Sequence, residues 1–333
     1  MTQNKSTFKA YRIEENNDIY SGSIKEMEFR PLAQDEILVK VHYSSLNYKD
    51  ALSASGNKGV TRNYPHTPGI DAVGTIEKSN SDTLKVGEKV IVTSYDLGMN
   101  TDGGFAQYIQ VPSAWAVKLP EQLTMKEAMI YGTAGLTAGM SVLRLSQLIK
   151  PEDGKIVVSG ATGGVGALSV SILSKLGYSV VAITGKETER DYLMNLGAKE
   201  ILLRSEIEDF AKKPLLRPLF AGAIDTVGGP ILENIIKSTD SMGVVTCCGN
   251  VASPKLDLTV FPFILRGVTL IGIDSQNYPM KYRTQVWEML SDKCKPEQLE
   301  DTCNVITLEE VEAKIALMLQ GKLKGRTVLK LIE

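Results

Sequence analysis

The chain has 333 residues, of which 43% are hydrophobic and 23% charged, a composition typical of a folded globular protein. Its 37 Lys and Arg against 39 Asp and Glu give a net charge of -2. The sequence has no basic arm or stripe, so it does not predict a nucleic-acid partner. No apolar run approaches the ~18–20 residues of a membrane span, and the polar first residues lack the apolar core of a secretion signal.

The cysteine and histidine content narrows the compartment and the chemistry. Four Cys without a C-x-x-C pair fit a reducing cytoplasm better than a disulfide framework, so we expect a cytoplasmic protein with no membrane association. Only two His are present, which argues against a His-rich metal site and against most Ser-His or Cys-His hydrolase schemes.

Short strand patterns separated by Gly and Pro turns fill the first part of the chain. Residues 36–43, 89–92 and 108–111 are apolar, partly alternating runs, and the segments between them carry pairs such as Pro68-Gly69. This pattern predicts a partly barrel-like β domain over residues 1–124.

From residue 125 helical and strand patterns follow one another. A helix-compatible stretch (126–148, with three Gly) precedes buried strands at 155–159, 179–183, 200–203, 223–225 and 243–246 and helices at 166–176 and 187–196. Alternating βαβ elements with near-continuous apolar strands predict an α/β domain, with a doubly wound parallel sheet, over residues 125–262. Residues 263–333 then predict a return to the first domain, including a last sheet strand near 268–273.

A glycine-rich segment joins the first of these strands to the next helix. Gly160, Gly163 and Gly166 have G-x-x-G-x-x-G spacing, with Gly164 in addition. A pyrophosphate must approach backbone N–H groups at a helix N-terminus, and a Cβ at these positions would hold it off. The segment therefore predicts a dinucleotide site; the alternative is an ordinary Gly-rich loop.

The end of the second strand indicates which dinucleotide. An NAD site places Asp or Glu there for the ribose 2′-OH, whereas this chain has Thr184, Gly185 and Lys186. A hydroxyl, a backbone N–H and a Lys suit a 2′-phosphate instead. We therefore predict NADPH, with Arg204 as a further phosphate contact; Arg190 fits a solvated surface cation better.

Further segments carry a family resemblance. Residues 45–51, 68–76 and the glycine segment resemble the medium-chain dehydrogenase/reductase superfamily. Residues 132–138 and 221–229, and residues 262–268 with 272–275, resemble its acrylyl-CoA reductase subgroup, also called YhdH/YhfP-type quinone oxidoreductases. The resemblance implies a GroES-like catalytic domain, a Rossmann-like domain, NADPH and a homodimer.

The zinc alcohol dehydrogenases of the same superfamily differ from this chain at their metal ligands. Where they have Cys and Gly-His-Glu, this chain has Asn47 and Gly69-Ile70-Asp71, and no Cys lies between Tyr95 and Val111. An amide and an isoleucine do not replace a thiolate and an imidazole on zinc. We therefore expect no bound metal, and hydride transfer to an activated C=C bond.

The resemblance implies reduction of acrylyl-CoA to propanoyl-CoA. The alternatives are an NADPH:quinone or other α,β-unsaturated carbonyl reductase, and a non-catalytic NADPH-sensing protein. The substrate would be a small molecule, either an acyl-CoA thioester or a quinone. Candidate cations for the CoA phosphates are Lys58, Arg62, Lys281 and Arg283.

The resemblance also implies the site residues. Tyr48 and Asn47 would be catalytic, with Tyr48 also contacting the cofactor as orienter or proton donor; the alternatives are a packed aromatic and a turn-capping amide. Asp50 fits a residue at the start of a helix better than an acid catalyst, and Asp71 fits a residue that holds loops together. The other cofactor contacts would be Thr162, Gly163, Gly164 and Val165 at the pyrophosphate, Thr184, Gly185, Lys186 and Arg204 at the adenosine phosphate, Asn250, Ile264 and Ser275 at the nicotinamide, and Lys324. For Ile264 the alternative is core packing, and for Ser275 a turn hydroxyl.

Overall fold

The computed structural model describes residues 7–208 and 213–332. The chain forms two compact units. Unit 1 comprises Met1–Thr133, Gln276–Thr284 and Cys303–Glu333, and unit 2 comprises Ala134–Ser275 and Gln285–Thr302. The domain limits expected from the sequence stay a prediction.

Unit 1 is built mainly from strands. In chain order they are β1 (Thr7–Asn16), β2 (Ile19–Glu28), β3 (Glu36–Leu46), β4 (Asp71–Ser79), β5 (Lys89–Thr93), β6 (Tyr108–Pro112) and β7 (Ala116–Lys118), and the last two are β14 (Cys303–Ile306) and β15 (Arg326–Lys330). The helices within this unit are α1 (Tyr48–Ala54) and α9 (Val311–Leu319), while α2 (Met125–Ser146) and α8 (Met280–Ser291) contribute residues to both units.

One mixed sheet organises unit 1. Its order is β14-β15-β3-β4-β5-β7, with β6 also paired to β3, and β1 and β2 form a separate antiparallel hairpin. The apolar side chains of β3 to β6 are largely buried in one cluster that extends to α9. This core fixes the carboxyl end of β3, from which α1 begins.

Unit 2 contains a six-stranded parallel sheet and its helices. The strands are β8 (Lys155–Val158), β9 (Ser179–Thr184), β10 (Glu200–Leu203), β11 (Phe220–Asp225), β12 (Thr239–Cys247) and β13 (Thr269–Gly272). The helices are α3 (Gly164–Lys175), α4 (Arg190–Asn195), α5 (Arg204–Glu208), α6 (Gly229–Lys237) and α7 (Phe261–Arg266). Short 3₁₀ helices in the two units cover Ser113–Trp115, Pro151–Asp153, Glu187–Glu189, Leu299–Thr302 and Leu308–Glu310.

The strand order of unit 2 is β10-β9-β8-β11-β12-β13, with every pair parallel. The order reverses between β8 and β11, and open sheets of this kind bind ligands at such a point, beyond the carboxyl ends of the strands. The doubly wound parallel sheet expected from the sequence is present. The helix expected over residues 187–196 is instead a 3₁₀ turn followed by α4.

The part of the chain that the structure describes contains no helix with both the length and the apolar character needed to cross a bilayer.

Candidate functional site

The glycine segment of unit 2 forms a tight turn between β8 and α3. Gly160 has a φ of +58°, and a Cβ there would lie 2.9 Å from Val227 Cγ1. A Cβ on Gly166 would overlap the carbonyl oxygen of Gly160 and lie 2.8 Å from Ala161 Cα. Glycine at both positions therefore allows the end of the strand and the first turn of the helix to pack directly together.

This packing leaves backbone donors at the start of α3. Thr162, Gly164 and Val165 have no hydrogen-bond partner for their N–H groups within the described residues, whereas Gly163 donates to Gly160 O at 2.9 Å. The first N–H groups of a helix carry a partial positive charge and bind anions. The residues present thus fit a dinucleotide pyrophosphate, as the glycine spacing predicts.

A cationic group lies at the end of β9, the next strand of the sheet. Thr184 is buried and its hydroxyl accepts a hydrogen bond from Lys186 N–H at 3.0 Å. Leu203 pairs with Thr184 across the parallel strands, so Arg204 follows β10 at the same edge. Its guanidinium lies 3.4 Å from the position of a Cβ on Gly185. The structure therefore brings Gly185 and Arg204 together, next to the glycine turn, since Ala161 N–H bonds Ile183 O at 3.1 Å.

A cavity of about 610 Å³ lies beyond the carboxyl ends of β11, β12 and β13. Asn250, which follows β12, is one of its lining residues, together with Gly228, Gly229, Leu232, Cys247, Cys248, Gly249, Ser253, Pro254, Leu256, Gly272, Ile273 and Asp274. This is the half of the sheet edge that the nicotinamide end of a dinucleotide would occupy if its pyrophosphate lay at the turn before α3.

The remaining predicted contacts are spread over the two units. Ser275 follows β13, and its hydroxyl accepts a hydrogen bond from Thr137 Oγ1 at 2.8 Å. Ile264 is 68% exposed on α7 and is not among the residues lining the cavity. Lys324 is an exposed residue in the turn before β15 of unit 1.

Unit 1 contains a fully buried carboxylate, Asp71, at the start of β4. It accepts hydrogen bonds from Ser45 Oγ at 2.6 Å and from Asn47 Nδ2 at 2.7 Å. The backbone N–H and the hydroxyl of Thr133 donate to it at 2.9 and 2.6 Å. Both carboxylate oxygens are therefore satisfied inside the protein, as a buried charge requires.

A break in α2 makes the contacts of Thr133 with Asp71 possible. Gly132 has a φ of +50° and a ψ of -152° inside the helix. A Cβ on Gly132 would overlap the Asp71 carboxylate and lie 2.6 Å from Ser45 Oγ. The helix restarts at Thr133, whose N–H meets the carboxylate, an arrangement that the helix dipole favours.

Arg326 supplies the cation of this buried cluster. Its guanidinium is 3.8 Å from Asp71 and donates to Ser45 Oγ at 2.8 Å and to Asn47 Oδ1 at 3.1 Å. It also donates to the carbonyl oxygens of Ile130 and Leu46. Burial lowers the pKa of Arg326, and the neighbouring carboxylates oppose that change. We call Ser45, Asn47, Asp71, Thr133 and Arg326 the buried polar cluster.

The buried polar cluster fixes the start of α1, where both predicted catalytic residues lie. Asn47 is the N-cap, and its own N–H bonds Asp50 Oδ2 at 2.7 Å. Asp50 is fully buried and also accepts from the N–H groups of Gly69 and Ile70. Burial and the nearby Asp71 raise the pKa of Asp50 to about 7, against the effect of these backbone donors. Tyr48, the first residue of the helix, is 46% exposed.

Arg326 and Thr133 were missed as members of this site. The Arg at the start of the strand Arg-Thr-Val-Leu-Lys is a sequence signal for such a site, because a charge among buried strand residues needs a partner. No sequence signal separates Thr133 from its neighbours. Among residues 7–208 and 213–332, no three His, Cys, Asp or Glu side chains are grouped to hold a metal ion.

Two family models match the chain. "Alcohol dehydrogenase GroES-like domain" covers residues 33–121, and "Zinc-binding dehydrogenase" covers residues 164–292. The chain is 44% identical to "Putative quinone oxidoreductase YhfP" of Bacillus subtilis, over 97% of this chain and 99% of that protein. It is 39% identical to acrylyl-CoA reductase AcuI of Ruegeria pomeroyi, over 92% and 93%.

Solved structures of such relatives have the same fold. Escherichia coli YhdH with bound NADPH is 38% identical with a TM-score of 0.93, over 97% of this chain and all of that one. Bacillus subtilis YhfP with bound NAD is 43% identical with a TM-score of 0.95, over 98% and 100%. The predicted family and the predicted fold class, a GroES-like domain plus a Rossmann-like parallel sheet, are confirmed.

The buried polar cluster generates a stability prediction. Arg326→Met keeps the side-chain length but leaves Asp71 without its cation and Ser45 and Asn47 without a donor. Removing one partner of a buried ion pair costs about 3–5 kcal/mol, so we expect the free energy of unfolding in urea to fall by about that amount. Lys330→Met, at the exposed end of the same strand, is the control and should change it by less than about 0.5 kcal/mol. Equal unfolding free energies for the two variants would show that the cluster is not stabilised by Arg326.

Proposed function

The chain belongs to the medium-chain dehydrogenase/reductase family, in the branch of YhfP and AcuI, and we propose that it reduces the activated C=C bond of a small α,β-unsaturated carbonyl compound with NADPH. The first candidate reaction is the conversion of acrylyl-CoA to propanoyl-CoA. It is an oxidoreductase, as the family is.

The observation that carries this proposal is the glycine turn before α3 with the cationic group beside it. Unpartnered N–H groups at Thr162, Gly164 and Val165 suit the pyrophosphate. Arg204 against Gly185 suits a phosphate on the adenosine ribose. The same edge of the parallel sheet thus has groups suited to the pyrophosphate and to the 2′-phosphate of NADPH.

The choice of NADPH rests on these residues rather than on the relatives. The YhdH structure contains NADPH and the YhfP structure contains NAD. The end of β9 carries no acid for a ribose 2′-OH, because Thr184 is followed by Gly185 and Lys186. The guanidinium of Arg204 adds a group that pairs with phosphate dianions.

When bound, NADPH supplies a hydride from C4 of its nicotinamide. The chain's own residues bind and orient the reactants. Asn47 holds the first turn of α1 through Asp71, Arg326 and Asp50. Tyr48 Oη, which has no hydrogen-bond partner within the described residues, is the proposed orienting group or proton donor. Asn250 and Ser275 are the proposed polar contacts at the nicotinamide end, and Ile264 and Lys324 stay proposed contacts.

A quinone is the alternative acceptor, favoured by the name of the YhfP relative at 44% identity. A quinone and an unsaturated thioester both accept a hydride and develop charge on oxygen, which hydrogen-bond donors must stabilise. The two substrates differ in the part remote from the reacting carbon, because the thioester carries the phosphates of CoA and the quinone does not.

We also propose that the protein is a cytoplasmic homodimer. β13 is an edge strand of the parallel sheet, so its outer backbone groups are open to pairing. Six exposed apolar side chains belong to β12, to α7 and to the segment between them, which precede β13 in the chain: Met242, Val251, Val260, Phe261, Ile264 and Leu265. Apolar patches of this kind mark protein interfaces, and a second copy offers the same edge and the same patch by two-fold symmetry. Four Cys without a C-x-x-C pair support a reducing compartment.

The cofactor proposal predicts a selective loss of NADPH affinity. Lys186→Ala and Arg204→Ala remove a cation from the phosphate contact and should each raise the Kd for NADPH about tenfold, with less than a twofold effect on NADH. Titrations followed by the fluorescence of the protein or of the added dinucleotide measure the Kd for NADPH and the Kd for NADH. Arg190→Ala, an exposed cation one turn further on, is the matched control. Equal losses for both dinucleotides would contradict a 2′-phosphate site.

A panel of acceptors tests the reaction itself. Oxidation of NADPH is followed by the loss of its absorbance with acrylyl-CoA, crotonyl-CoA, a benzoquinone and a simple enone as acceptors, and we expect the highest kcat/KM with acrylyl-CoA. Turnover of the quinone alone would establish the alternative. Tight NADPH binding without turnover of any acceptor would indicate the sensing protein.

The homodimer is tested by light scattering after gel filtration. Leu265→Lys places a charge in the exposed apolar patch and should raise the dimer dissociation constant at least about 100-fold, because two buried Leu contacts are lost per dimer. Leu148→Lys changes a comparably exposed Leu outside the patch and should leave the dimer intact. A monomeric wild-type protein at micromolar concentration would refute the proposal.

A further inference from the structure

Unit 2 contains its own buried carboxylate, to which the proposed hydride transfer assigns no role. Asp225 is the last residue of β11 and is fully buried. Its Oδ1 accepts a hydrogen bond from Ser159 Oγ at 2.6 Å, and its Oδ2 accepts one from Gly228 N–H at 2.8 Å. Both oxygens therefore act as acceptors.

Ser159 is the residue immediately before Gly160, and further hydrogen bonds join it to Thr226, the residue that follows β11. Its Oγ accepts from Thr226 N–H at 2.9 Å, and its carbonyl oxygen accepts from Thr226 Oγ1 at 2.9 Å. The Ser159 hydroxyl thus donates to Asp225 and accepts from Thr226, so both of its hydrogen-bonding functions are used inside the protein.

These contacts lie at the point where the strand order reverses. β8 and β11 are neighbours in the sheet; the glycine turn follows β8, and Gly228 follows β11. Gly228 lines the 610 Å³ cavity, while Gly160 opens the turn before α3. Asp225 therefore connects the backbone proposed to hold the pyrophosphate with the wall of the cavity proposed to hold the nicotinamide end.

The chemistry of these contacts suits a carboxylate. One side-chain oxygen accepts from the Ser159 hydroxyl and the other from the Gly228 N–H. An Asn amide has one acceptor oxygen and one NH₂ donor, so it either faces the Gly228 N–H with a donor or forces the Ser159 hydroxyl to turn its hydrogen away from residue 225. No cation pairs with Asp225 in the described part of the chain; burial raises its pKa, and the Ser159 and Gly228 donors oppose that change.

We propose that Asp225 is a positioning residue for NADPH. Its carboxylate fixes Ser159, and through Ser159 it holds Gly160 and the following turn in the geometry that leaves the N–H groups of residues 162, 164 and 165 available to the pyrophosphate. It acts through the backbone of this turn and touches neither cofactor nor substrate. The inference rests on the proposed function, since it concerns the binding of the same dinucleotide.

The test compares Asp225→Asn, Ser159→Ala and the double variant with Asp240→Asn. Asp240 is an exposed residue at the start of β12, at the end of the sheet away from the glycine turn, and serves as the control. For each protein we measure the Kd for NADPH by fluorescence titration, kcat at saturating NADPH with the best acceptor, and the urea midpoint of unfolding. Ser159→Ala retains the buried carboxylate and keeps the proposal testable if Asp225→Asn fails to fold.

We expect each single variant to raise the Kd for NADPH about tenfold or more, because a buried donor or acceptor loses its partner. At saturating cofactor kcat should stay within about threefold of the wild type, since binding is lost and the reacting atoms are untouched. The double variant should be weaker than wild type by less than the product of the single effects, because both substitutions break the same connection. Asp240→Asn should bind as wild type does.

The outcomes separate this inference from the proposed function. A wild-type protein that does not bind NADPH overturns the proposed function and this inference together. A wild-type protein that binds NADPH, with folded Asp225→Asn and Ser159→Ala variants of unchanged Kd, overturns the positioning role alone. A lower urea midpoint with unchanged Kd assigns Asp225 a purely structural role and also overturns it.

Discussion

The close packing of Gly166 against the carbonyl oxygen of Gly160 is the contact on which the proposed dinucleotide site of unit 2 depends. There is no space for a Cβ between them, and Gly160 has a left-handed backbone that other residues rarely adopt. This packing brings the end of β8 directly to the start of α3, where the N–H groups of Thr162, Gly164 and Val165 have no partner within the described residues. A helix N-terminus favours an anion by up to about 2 kcal/mol in partly buried geometry, and the position of that anion sets where the rest of a dinucleotide can extend.

Each unit holds its loops with a buried carboxylate, but the charge is balanced differently. Asp71 of unit 1 has a guanidinium, three side-chain donors (Ser45, Asn47 and Thr133) and a helix start around it. Among residues 7–208 and 213–332, the side chain of Asp225 in unit 2 meets hydroxyl and amide dipoles and no cation. A buried ion pair contributes little net stability compared with apolar packing. The cluster around Asp71 is therefore best understood as a device that fixes the geometry of residues 47 and 48 rather than as a source of global stability.

The sequence predicted the structure correctly where neighbouring residues carry the pattern of an element or a turn. Alternating apolar strands and helices predicted the parallel sheet, and the spacing of Gly160, Gly163 and Gly166 predicted the turn between β8 and α3. The contact of Arg326 with Asp71 could not be predicted, because it joins strands far apart in the chain. Of the three Gly in the helix expected over residues 126–148, only Gly132 breaks it, and the reason is its approach to Asp71 rather than its own propensity. The exposure of Ile264 was also not predictable. Its apolar neighbours indicate a buried segment, but the sequence does not tell whether the same chain or a second copy would cover it.

The structure also narrows where the phosphates of a CoA substrate could bind. Arg283 is fully buried, donates to Thr93 at 2.9 Å and lies 4.4 Å from the ring centroid of Tyr95, so it has a structural role. Lys58 pairs with Glu15 at 2.8 Å and lies over two tyrosine rings, which reduces its availability for a phosphate. Arg62 and Lys281 are exposed cations with no ion pair in the described residues, and Lys281 lies over the Tyr282 ring at 5.8 Å from its centroid. An isolated exposed cation adds little affinity in water. Selectivity for a CoA ester over a quinone would therefore have to come mainly from the contacts of the acyl thioester, where hydrogen-bond donors meet the carbonyl oxygen as charge develops.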